Sequence, residues 1–447
     1  MKTEPTESTV AKDELYVWHA MKRYQPETMV VQSGKGAWIA DTEGNRYLDA
    51  MAGLWSVNVG YGREELAQAA YEQLKTLPYY PLTQSHEPAI LLAEKLNEWL
   101  GGDYVIFFSN SGSEANEVAF KISRQYHHQT GNASRYKIIS RYRGYHGNSM
   151  GALAATGQAL RKHKYEPLAP GFLHVKAPDS YRYPAYHTAQ SYSDACADDL
   201  EAVMEWELPE TIAAVIMEPI ITGGGVLLPQ ENYLQKVQAS CQKHGALLII
   251  DEVINGFGRT GERFGFMHYG VKPDIITMAK GITSSYLPLS ATAVRRDVYE
   301  AFKGQEDYDH FRHVNTFGGN PAACAVALKN LEILENEQLC DRSKTVGASL
   351  LHELQGLLEH ANVGDVRGKG LLIGIELVAS KETKEPLAVE RVNQVIAQCK
   401  QRGVLIGKNG DTVLHHNNIL TLAPPLTLQE EDALYLVKTL KEAIWTL

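Results

Sequence analysis

Short apolar segments of the sequence end in residues that can carry acid–base or nucleophilic chemistry. Lys280 follows "DIITMA", Asp251 follows "ALLII", and Glu218 follows "AAVIM". A lysine amine that burial keeps uncharged can attack a carbonyl carbon, and a carboxylate can hold a proton or a cation close to it. Any one of them could be an ordinary exposed side chain at a strand end. Because Lys280 and Asp251 are 29 residues apart, about one strand–helix–strand unit, both can face the same crevice.

The segment "FFSNSGSEANEVAFK" has the form of a strand, a Ser/Gly loop and a helix. The first turn of a helix presents free backbone N–H groups and the positive end of the helix dipole, so it attracts phosphate. Gly112 and Ser113 would supply backbone donors and a hydroxyl. The same pattern predicts an ordinary helix cap, with Ser111 or Ser113 as N-cap and Glu114 or Glu117 in the first turn. The two interpretations are compatible.

The elements that must position these residues are strands alternating with helices. Near-continuous Val/Ile/Leu segments indicate strands covered by helices on both faces, in a mostly parallel sheet of an α/β protein. Apolar residues at helical spacing in "SEANEVAFKISRQYHHQT" and "NPAACAVALKNLEILENE" predict two of the helices. In such sheets the ligand crevice lies beyond the carboxyl ends of the strands. The predicted strands cover residues 103–110, 135–140, 211–219, 246–253, 274–280 and 289–296.

Both ends of the chain predict a smaller α+β domain beside the central one. "GKGAWIADTEGNRYLDAMAGLW" is typical of a small antiparallel ribbon, and "VGDVRGKGLLIGIELV" of two strands around a Gly-rich turn. "EEDALYLVKTLKEAIWTL" predicts an amphipathic helix. We expect residues 1–75 and 336–447 to form the small domain and residues 76–335 to form the large one.

Composition limits the partners and the compartment. The 447 residues are 44% hydrophobic and 21% charged, as in a globular protein with a large core. A formal charge of -10 gives no basic surface for nucleic acid, and no apolar run approaches the roughly 20 residues of a membrane span. Five scattered cysteines predict neither disulfides nor a metal site. The polar N-terminus lacks a signal or transit peptide pattern. We expect a cytoplasmic protein with small-molecule partners.

Seven motifs, in order along nearly the whole chain, resemble those of the class III pyridoxal-phosphate-dependent aminotransferases. They are "SNSGSEANE", "YHG", "MEPI", "IIDEVINGFGRTG", "DIITMAKGI", "HVNTFGGNPAACAVAL" and "LAPPL". The nearest group in character is the omega-transaminases, including the amine or omega-amino acid:pyruvate and taurine–pyruvate types. The resemblance implies the PLP-dependent transferase fold type I, the cofactor pyridoxal 5'-phosphate, and a homodimer or tetramer with shared active sites. It also implies ping-pong transfer of an amino group from an amine or omega-amino acid to a keto acid, with pyruvate expected.

The resemblance implies a role for each residue at the cofactor. Lys280 would form the Schiff base with the cofactor aldehyde and move the proton between substrate and cofactor. Asp251 would pair with the pyridine nitrogen, Tyr145 would stack on one face of the ring and Val253 would cover the other. Glu218 would hold the surroundings of Asp251 in place. Outside the resemblance, each of these side chains could be an ordinary core or strand-end residue.

Further contacts implied by the resemblance are less central to the chemistry. The remaining cofactor contacts are expected from Ser111, Gly112, Ser113 and His146, and from Thr316 of the neighbouring subunit. The expected substrate pocket contains Leu54, Trp55, Tyr79, Tyr80 and Lys408.

One departure from the family concerns the acid group of the substrate. Many relatives place an arginine between the last-strand turn and "APPL" to bind a carboxylate through two parallel hydrogen bonds. The corresponding segment here, "IGKNGDTVLHHNNILTLAPPL", contains no arginine. Lys408 could serve as a point charge without the planar geometry of a guanidinium, and His415 or His416 could contribute. Arg259 and Arg367 are interpreted as structural residues that tie loops together.

Two motifs point to other chemistry and are rejected. Gly256-x-Gly258-x-x-Gly261 matches a dinucleotide fingerprint, but no helical pattern follows it and position 281 is not acidic. Gly147-x-Ser149-x-Gly151 matches a hydrolase motif, but the serine comes too late after its strand. A PLP-dependent lyase or racemase on the same fold remains an alternative, because fold does not fix the reaction. A catalytically inactive binding protein is disfavoured by Lys280 and Asp251 together.

Overall fold

The structure, a computed structural model, describes residues 6–21, 29–410 and 412–447. The strands within these ranges are β1 (Val31–Lys35), β2 (Trp38–Asp41), β3 (Arg46–Asp49), β4 (Tyr104–Ser109), β5 (Lys137–Arg141), β6 (Phe172–Val175), β7 (Ile212–Met217), β8 (Leu247–Asp251), β9 (Ile275–Met278), β10 (Ser290–Arg295), β11 (Val363–Lys369), β12 (Leu372–Leu377), β13 (Val404–Leu405), β14 (Gly407–Lys408) and β15 (Ile419–Leu422).

The helices are distributed along the whole described chain. They are α1 (Thr6–Tyr16), α2 (Ala52–Trp55), α3 (Glu64–Thr76), α4 (Glu87–Trp99), α5 (Gly112–Gln129), α6 (Met150–Ala155), α7 (Ala159–Lys162), α8 (Ala189–Trp206), α9 (Tyr233–His244), α10 (Arg296–Glu300), α11 (Pro321–Asn336), α12 (Leu339–Gln355), α13 (Val389–Gln401) and α14 (Glu430–Ile444). No helix of the described ranges combines the length and apolar character that crossing a bilayer requires.

A seven-stranded sheet in the order β4-β10-β9-β8-β7-β5-β6 forms the centre of the protein. Its strands are parallel except β10, which is antiparallel to both neighbours. Only residues 279–289 connect β9 to β10. A parallel return needs a longer crossover, usually through a helix, so this short connection turns the chain back antiparallel. The predicted mostly parallel sheet is confirmed, with one reversed strand.

Alternate residues of the central strands pack into two separate cores. In β8, Leu248 and Ile250 face one core, whereas Leu247 and Ile249 face the other. Helix α5 packs on one face of the sheet, while α8 and α9 pack beside β6 and β8. Each fully buried Leu or Ile side chain contributes roughly 1.5–3 kcal/mol relative to its exposed state. Burial on both faces explains why these strands are continuously apolar.

Two four-stranded sheets flank the central one and join the two ends of the chain. β1, β2 and β3 form the predicted antiparallel ribbon, and β13 from the C-terminal region pairs parallel to β3. The second sheet has the order β11-β12-β15-β14 and contains the predicted strand pair around a Gly-rich turn. The predicted amphipathic helix is α14. The domain boundaries at residues 75 and 335 stay predictions.

The parallel strands bring their carboxyl ends to one edge of the central sheet. β8 ends at Asp251, β7 ends just before Glu218, and β9 ends two residues before Lys280. β4 ends at Ser109 and leads into α5. The polar residues that the sequence places after separate strands therefore meet at this edge.

Candidate active site

A cavity of about 380 Å³ opens at the carboxyl edge of the central sheet. Nine residues predicted for the site line it, namely Ser111, Gly112, Ser113, Tyr145, His146, Glu218, Asp251, Val253 and Lys280. Other lining residues include Asn116 and the segment 287–289. One concave site therefore collects residues from the ends of five strands, β4, β5, β7, β8 and β9.

Lys280 enters the cavity from a strained turn. Its φ of 48° lies in the left-handed region that side chains other than glycine rarely adopt. The next residue is Gly281, where a Cβ would lie only 2.6 Å from Asn58 Nδ2. The Lys280 amine is open to the cavity and otherwise enclosed by protein, and it lies 5.9 Å from the centre of the Trp55 ring.

Burial lowers the pKa of Lys280, and the negative charges of Asp251 and Glu218 oppose that shift. No carboxylate of the described residues pairs directly with the amine. A larger fraction of the amine is therefore uncharged at a given pH than for an exposed lysine, which is what a nucleophilic or proton-moving amine requires.

Asp251 is buried, and three hydrogen bonds fix its carboxylate. Oδ2 accepts from Asn116 Nδ2 at 2.8 Å and from His146 Nδ1 at 2.9 Å, and Oδ1 accepts from the Val253 N–H at 3.0 Å. Thr277 donates to Asn116 Oδ1 at 2.8 Å, which turns the amide nitrogen of Asn116 toward the aspartate. The carboxylate is therefore held rigidly with a defined direction in the cavity wall.

Glu218 is buried without an ion-pair partner among the described residues. Its two carboxyl oxygens accept from the backbone N–H groups of Tyr145 at 3.1 Å and Thr222 at 3.0 Å. Burial and the neighbouring charge of Asp251 raise its pKa, against the charge of His146 and the two N–H donors. Glu218 thus ties together two loops of the cavity wall, which is the geometry expected of a positioning residue.

The start of α5 combines a helix cap with open backbone donors. Ser111 is the N-cap, and the Glu114 carboxylate accepts from the N–H groups of Asn110 and Ser111. The N–H groups of Gly112 and Ser113 have no acceptor among the described residues, as expected at the first positions of a helix. An added Cβ on Gly112 would lie 3.0 Å from both methyl groups of Val253. The predicted helix cap is confirmed, and the phosphate site at these open donors stays a prediction.

The remaining predicted residues lie outside the cavity lining. Leu54, Tyr79, Tyr80 and Thr316 are exposed, and Trp55 approaches the cavity only through its contact with Lys280. Lys408 is half-buried on β14, where it pairs with Leu420 of β15. His415 is exposed, and burial together with Arg182 and Arg143 lowers the pKa of His416. The roles predicted for these residues stay predictions.

Sequence reasoning missed two residues of the site, Asn116 and Thr277. Asn116 is 1% exposed and lies on the apolar face of α5 between Ala115 and Val118, and Thr277 lies in the fully buried β9. A polar residue at a position that the helical period assigns to the core was the available signal.

Arg259 and Arg367 have the structural role expected of them. Arg259 donates to the carbonyls of Leu371 at 3.1 Å and Pro424 at 2.5 Å. Arg367 donates to the carbonyls of Val226 at 2.8 Å and Gly225 at 2.7 Å. Both are buried, so their guanidinium groups join separate loops.

The two rejected motifs also lack the required structure. The segment 252–264 after β8 consists of turns without a helix. Ser149 lies eight residues after the end of β5, and its hydroxyl donates to Glu117 Oε1 at 2.6 Å. The first segment therefore does not form a dinucleotide fingerprint, and the second does not form a strand-to-helix nucleophile turn.

Comparisons with known proteins identify a family whose members match most of this chain. The aminotransferase class-III family model matches residues 20–444. An uncharacterised aminotransferase, YhxA, of Bacillus subtilis (strain 168) is 68% identical over 98% of this chain and 96% of its own. The taurine–pyruvate aminotransferase of Rhodobacter capsulatus is 41% identical over 97% of this chain and 96% of its own. A crystal structure of a Bacillus anthracis aminotransferase superposes with a TM-score of 0.97 at 62% identity, with complete coverage of both chains. The expected fold type I is thereby confirmed.

Proposed function

The chain belongs to the class-III aminotransferases, and from that premise we propose that it moves the amino group of an omega-amino acid or related amine to pyruvate. Amine-to-keto-acid transamination is the activity that the family establishes. The observation that carries the site assignment is the Lys280 amine in one cavity with the hydrogen-bonded Asp251 carboxylate. The taurine–pyruvate relative supports pyruvate as acceptor.

The cofactor that the family implies is pyridoxal 5'-phosphate, and the residues of the cavity fit its parts. The open N–H groups at the start of α5 suit a phosphate, and a fixed buried carboxylate suits a protonated ring nitrogen. The enclosed Lys280 amine suits an aldehyde. When bound, this cofactor supplies an electron sink for the bond that breaks at the amine carbon.

The chain's own groups would perform the acid–base work. Asp251 would keep a proton on the ring nitrogen because its charge is fixed by Asn116, His146 and the Val253 N–H. Lys280, with its lowered pKa, would take the proton from the amine carbon and return it on the cofactor side. Tyr145 and Val253 would confine the ring, and Ser111, Gly112, Ser113 and His146 would complete its contacts.

We assign the functional state to a homodimer, in which Thr316 reaches the partner's phosphate site. Large apolar side chains are exposed in the single chain, including Leu54, Tyr79, Tyr80 and Phe317, with exposed fractions of 40–65%. Tyr79 and Phe317 contact each other with ring centres 6.3 Å apart. Exposed apolar side chains in contact with one another are typical of an interface, and a two-fold interface would supply each site with the partner's residues.

The proposal also places the enzyme in the cytoplasm. All five cysteines carry free thiols, and four of them are buried. Unpaired buried thiols fit a reducing compartment better than a secretory one.

Two measurements test the function. Borohydride reduction of the purified protein, followed by peptide mass mapping, should place the cofactor on Lys280; a different labelled lysine would contradict the assignment. Incubation with an amine donor and pyruvate should form alanine. Loss or racemisation of substrate without a keto acid would instead favour the lyase or racemase alternative, which the relatives described above do not support.

A further inference from the structure

An acidic amino donor needs a cation in its binding site, and the expected arginine is missing from residues 406–426. Four buried arginines cannot replace it. Arg141, Arg143, Arg259 and Arg367 are at most 9% exposed, and their guanidinium groups bind backbone carbonyls. A substrate cannot reach them without unfolding the loops they hold.

Arg161, on α7, has a different environment. It is half-buried, and its guanidinium carbon lies 5.0 Å from the centre of the Tyr145 ring. Its Nε donates to Gln158 Oε1 at 2.7 Å, and Nη1 has only a sulfur contact, 3.7 Å from Met21. Among the described residues no carboxylate pairs with it. A guanidinium stacked on an aromatic wall without an acidic partner is ready to bind an anion.

Gln158 fixes the direction in which Arg161 can bind. Its side chain is completely buried, and its Nε2 donates to the Arg143 carbonyl at 2.9 Å. Because a carbonyl only accepts, the amide oxygen of Gln158 must face Arg161 Nε. The two terminal nitrogens of Arg161 are left as the edge that can donate two parallel hydrogen bonds to an acid group.

Tyr145 connects Arg161 to the reaction site. The residue lines the cavity that contains Lys280 and Asp251. Burial raises the pKa of Tyr145, Arg161 lowers it and Asp251 raises it, so the phenol feels charges of both signs. Arg161 itself does not line the cavity, so an acid group that reaches it must be separated from the reacting carbon by a short chain.

We propose that Arg161 binds the carboxylate or sulfonate of an omega-amino donor past the edge of Tyr145, with Gln158 as its positioning residue. This inference rests on the proposed transaminase function. It names the donor class as short amines with an acid group at the far end, and it replaces Lys408 as the anchor expected from sequence.

The kinetic test uses the holoenzyme and follows only the donor half-reaction, by cofactor absorbance without a keto acid. Donors are β-alanine for a carboxylate, taurine for a sulfonate and propylamine without an acid group. Arg161→Gln should lower kcat/KM about 10- to 100-fold for an acidic donor, mainly through KM, and less than about threefold for propylamine. For acidic donors, the kcat/KM of Arg161→Lys should lie between the values of the parent enzyme and Arg161→Gln, because lysine keeps the charge without the planar edge. If kcat/KM of Arg161→Gln falls for only one of the two acidic donors, that donor identifies the acid group that Arg161 recognises.

Matched controls separate this role from a structural one. Lys164→Gln removes an exposed positive charge three residues away and should leave all donors unchanged. Gln158→Leu should raise KM for acidic donors while kcat stays near that of the parent enzyme. The proposal would be overturned if Arg161→Gln lost kcat/KM equally for propylamine and for the acidic donors, or lost none for any donor. If the parent enzyme converted no donor, the proposed function itself would have failed.

A binding measurement gives a readout independent of turnover. Propane-1-sulfonate carries the acid group but no amine, so it can bind without reacting. Calorimetric titration of the holoenzyme should give a dissociation constant about tenfold larger for Arg161→Gln than for the parent and Lys164→Gln. An unchanged constant in a variant with a normal thermal transition would show that Arg161 does not bind the acid group.

Discussion

The residues proposed to hold the cofactor (the cofactor end) and those proposed to contact the substrate or a partner subunit (the mouth) are built in opposite ways. At the cofactor end, Asp251 and Glu218 are 3% exposed and every carboxyl oxygen has a hydrogen-bond donor within the same chain. At the mouth, Leu54 and Tyr80 are 62% and 48% exposed, and Thr316 is exposed as well. Within the single chain the carboxylates of the cofactor end are therefore buried and fully hydrogen-bonded, whereas the residues proposed for the mouth stay exposed.

This difference separates what one chain determines from what assembly determines. Buried carboxylates need all their partners in place when the chain folds, because an unpaired buried charge is strongly destabilising. Exposed apolar residues carry no such requirement and gain stability only when another surface covers them. If the proposed roles hold, the acid–base groups are positioned by the single chain, whereas substrate selectivity depends on how the mouth is covered.

The largest expected effect is at the cofactor end. Lys280→Ala should lower alanine formation by at least about 10⁴-fold, because it removes both the covalent anchor and the proton-moving group. Lys272→Ala, an exposed lysine at the start of the same strand region, is the control and should retain activity. Activity of Lys280→Ala within tenfold of the parent would move the chemical centre elsewhere.

A second, smaller effect tests the charge of Asp251. Asp251→Asn keeps the shape but cannot hold a proton on a ring nitrogen, so kcat should fall about 10²- to 10³-fold. The amide can still bind one of the donors, Asn116 or His146, so the fold should persist. Single-turnover kinetics with Asp103→Asn, an exposed acid, as control would measure this. An unchanged kcat would leave Asp251 with a structural role alone.

The sequence predicts that Lys280 and Asp251 lie together because each stands at or just after the end of a strand. Lys280 and Asp251 needed only the rule that parallel strands end at one edge. The support of Asp251 by Asn116, 135 residues away in sequence, depends on how α5 packs and could not be obtained from spacing. The reversal of β10 was missed for a related reason, since an apolar strand pattern carries no direction.

The mouth was predicted only through family resemblance. Tyr79 and Tyr80 follow α3 as an aromatic pair, a pattern that core residues share. Nothing in the spacing of Thr316 indicates whether it serves its own chain or a partner. Physical reasoning on one chain cannot supply these contacts, because under the proposed dimer the groups that would complete them lie on a second copy of the chain.

Subunit mixing tests whether Thr316 belongs to the partner's site. Thr316→Ala should weaken binding of the cofactor's phosphate about tenfold, the loss expected for one hydrogen bond to a charged group. Dimers that combine a Lys280→Ala chain with a Thr316→Ala chain contain one site with both native residues if Thr316 acts across the interface. Such mixtures, assayed at limiting cofactor, should show more activity than either single variant alone.

The control for subunit mixing is the same combination placed in one chain. When a double variant Lys280→Ala/Thr316→Ala is mixed with the parent enzyme, mixing should create no complete site beyond those that the parent chains already form. If Thr316 acts within its own chain, the mixed dimers contain no complete site and activity does not recover. That outcome would mean that the mouth, like the cofactor end, is completed by residues of one chain.

The smallest effect concerns Glu252, which is fully buried directly behind Asp251. Its oxygens accept from the N–H groups of Gly265 at 2.9 Å and Phe266 at 2.7 Å, so it closes the loop that carries Val253. Burial raises the pKa of Glu252 to about 8, from 4.5, against the effect of these two donors. Between those values the folded protein keeps a proton that the unfolded chain has released.

The free energy of unfolding should therefore fall as pH rises from about 5 to 8, by up to roughly 1.4 kcal/mol per pH unit from this group. Glu252→Gln stays neutral and removes that slope, so its melting temperature relative to the parent should rise across this range. Glu262→Gln, a more exposed acid in the same loop, should follow the parent. Parallel curves for Glu252→Gln and the parent would mean that Glu252 is ionised in the folded protein, which would contradict its raised pKa.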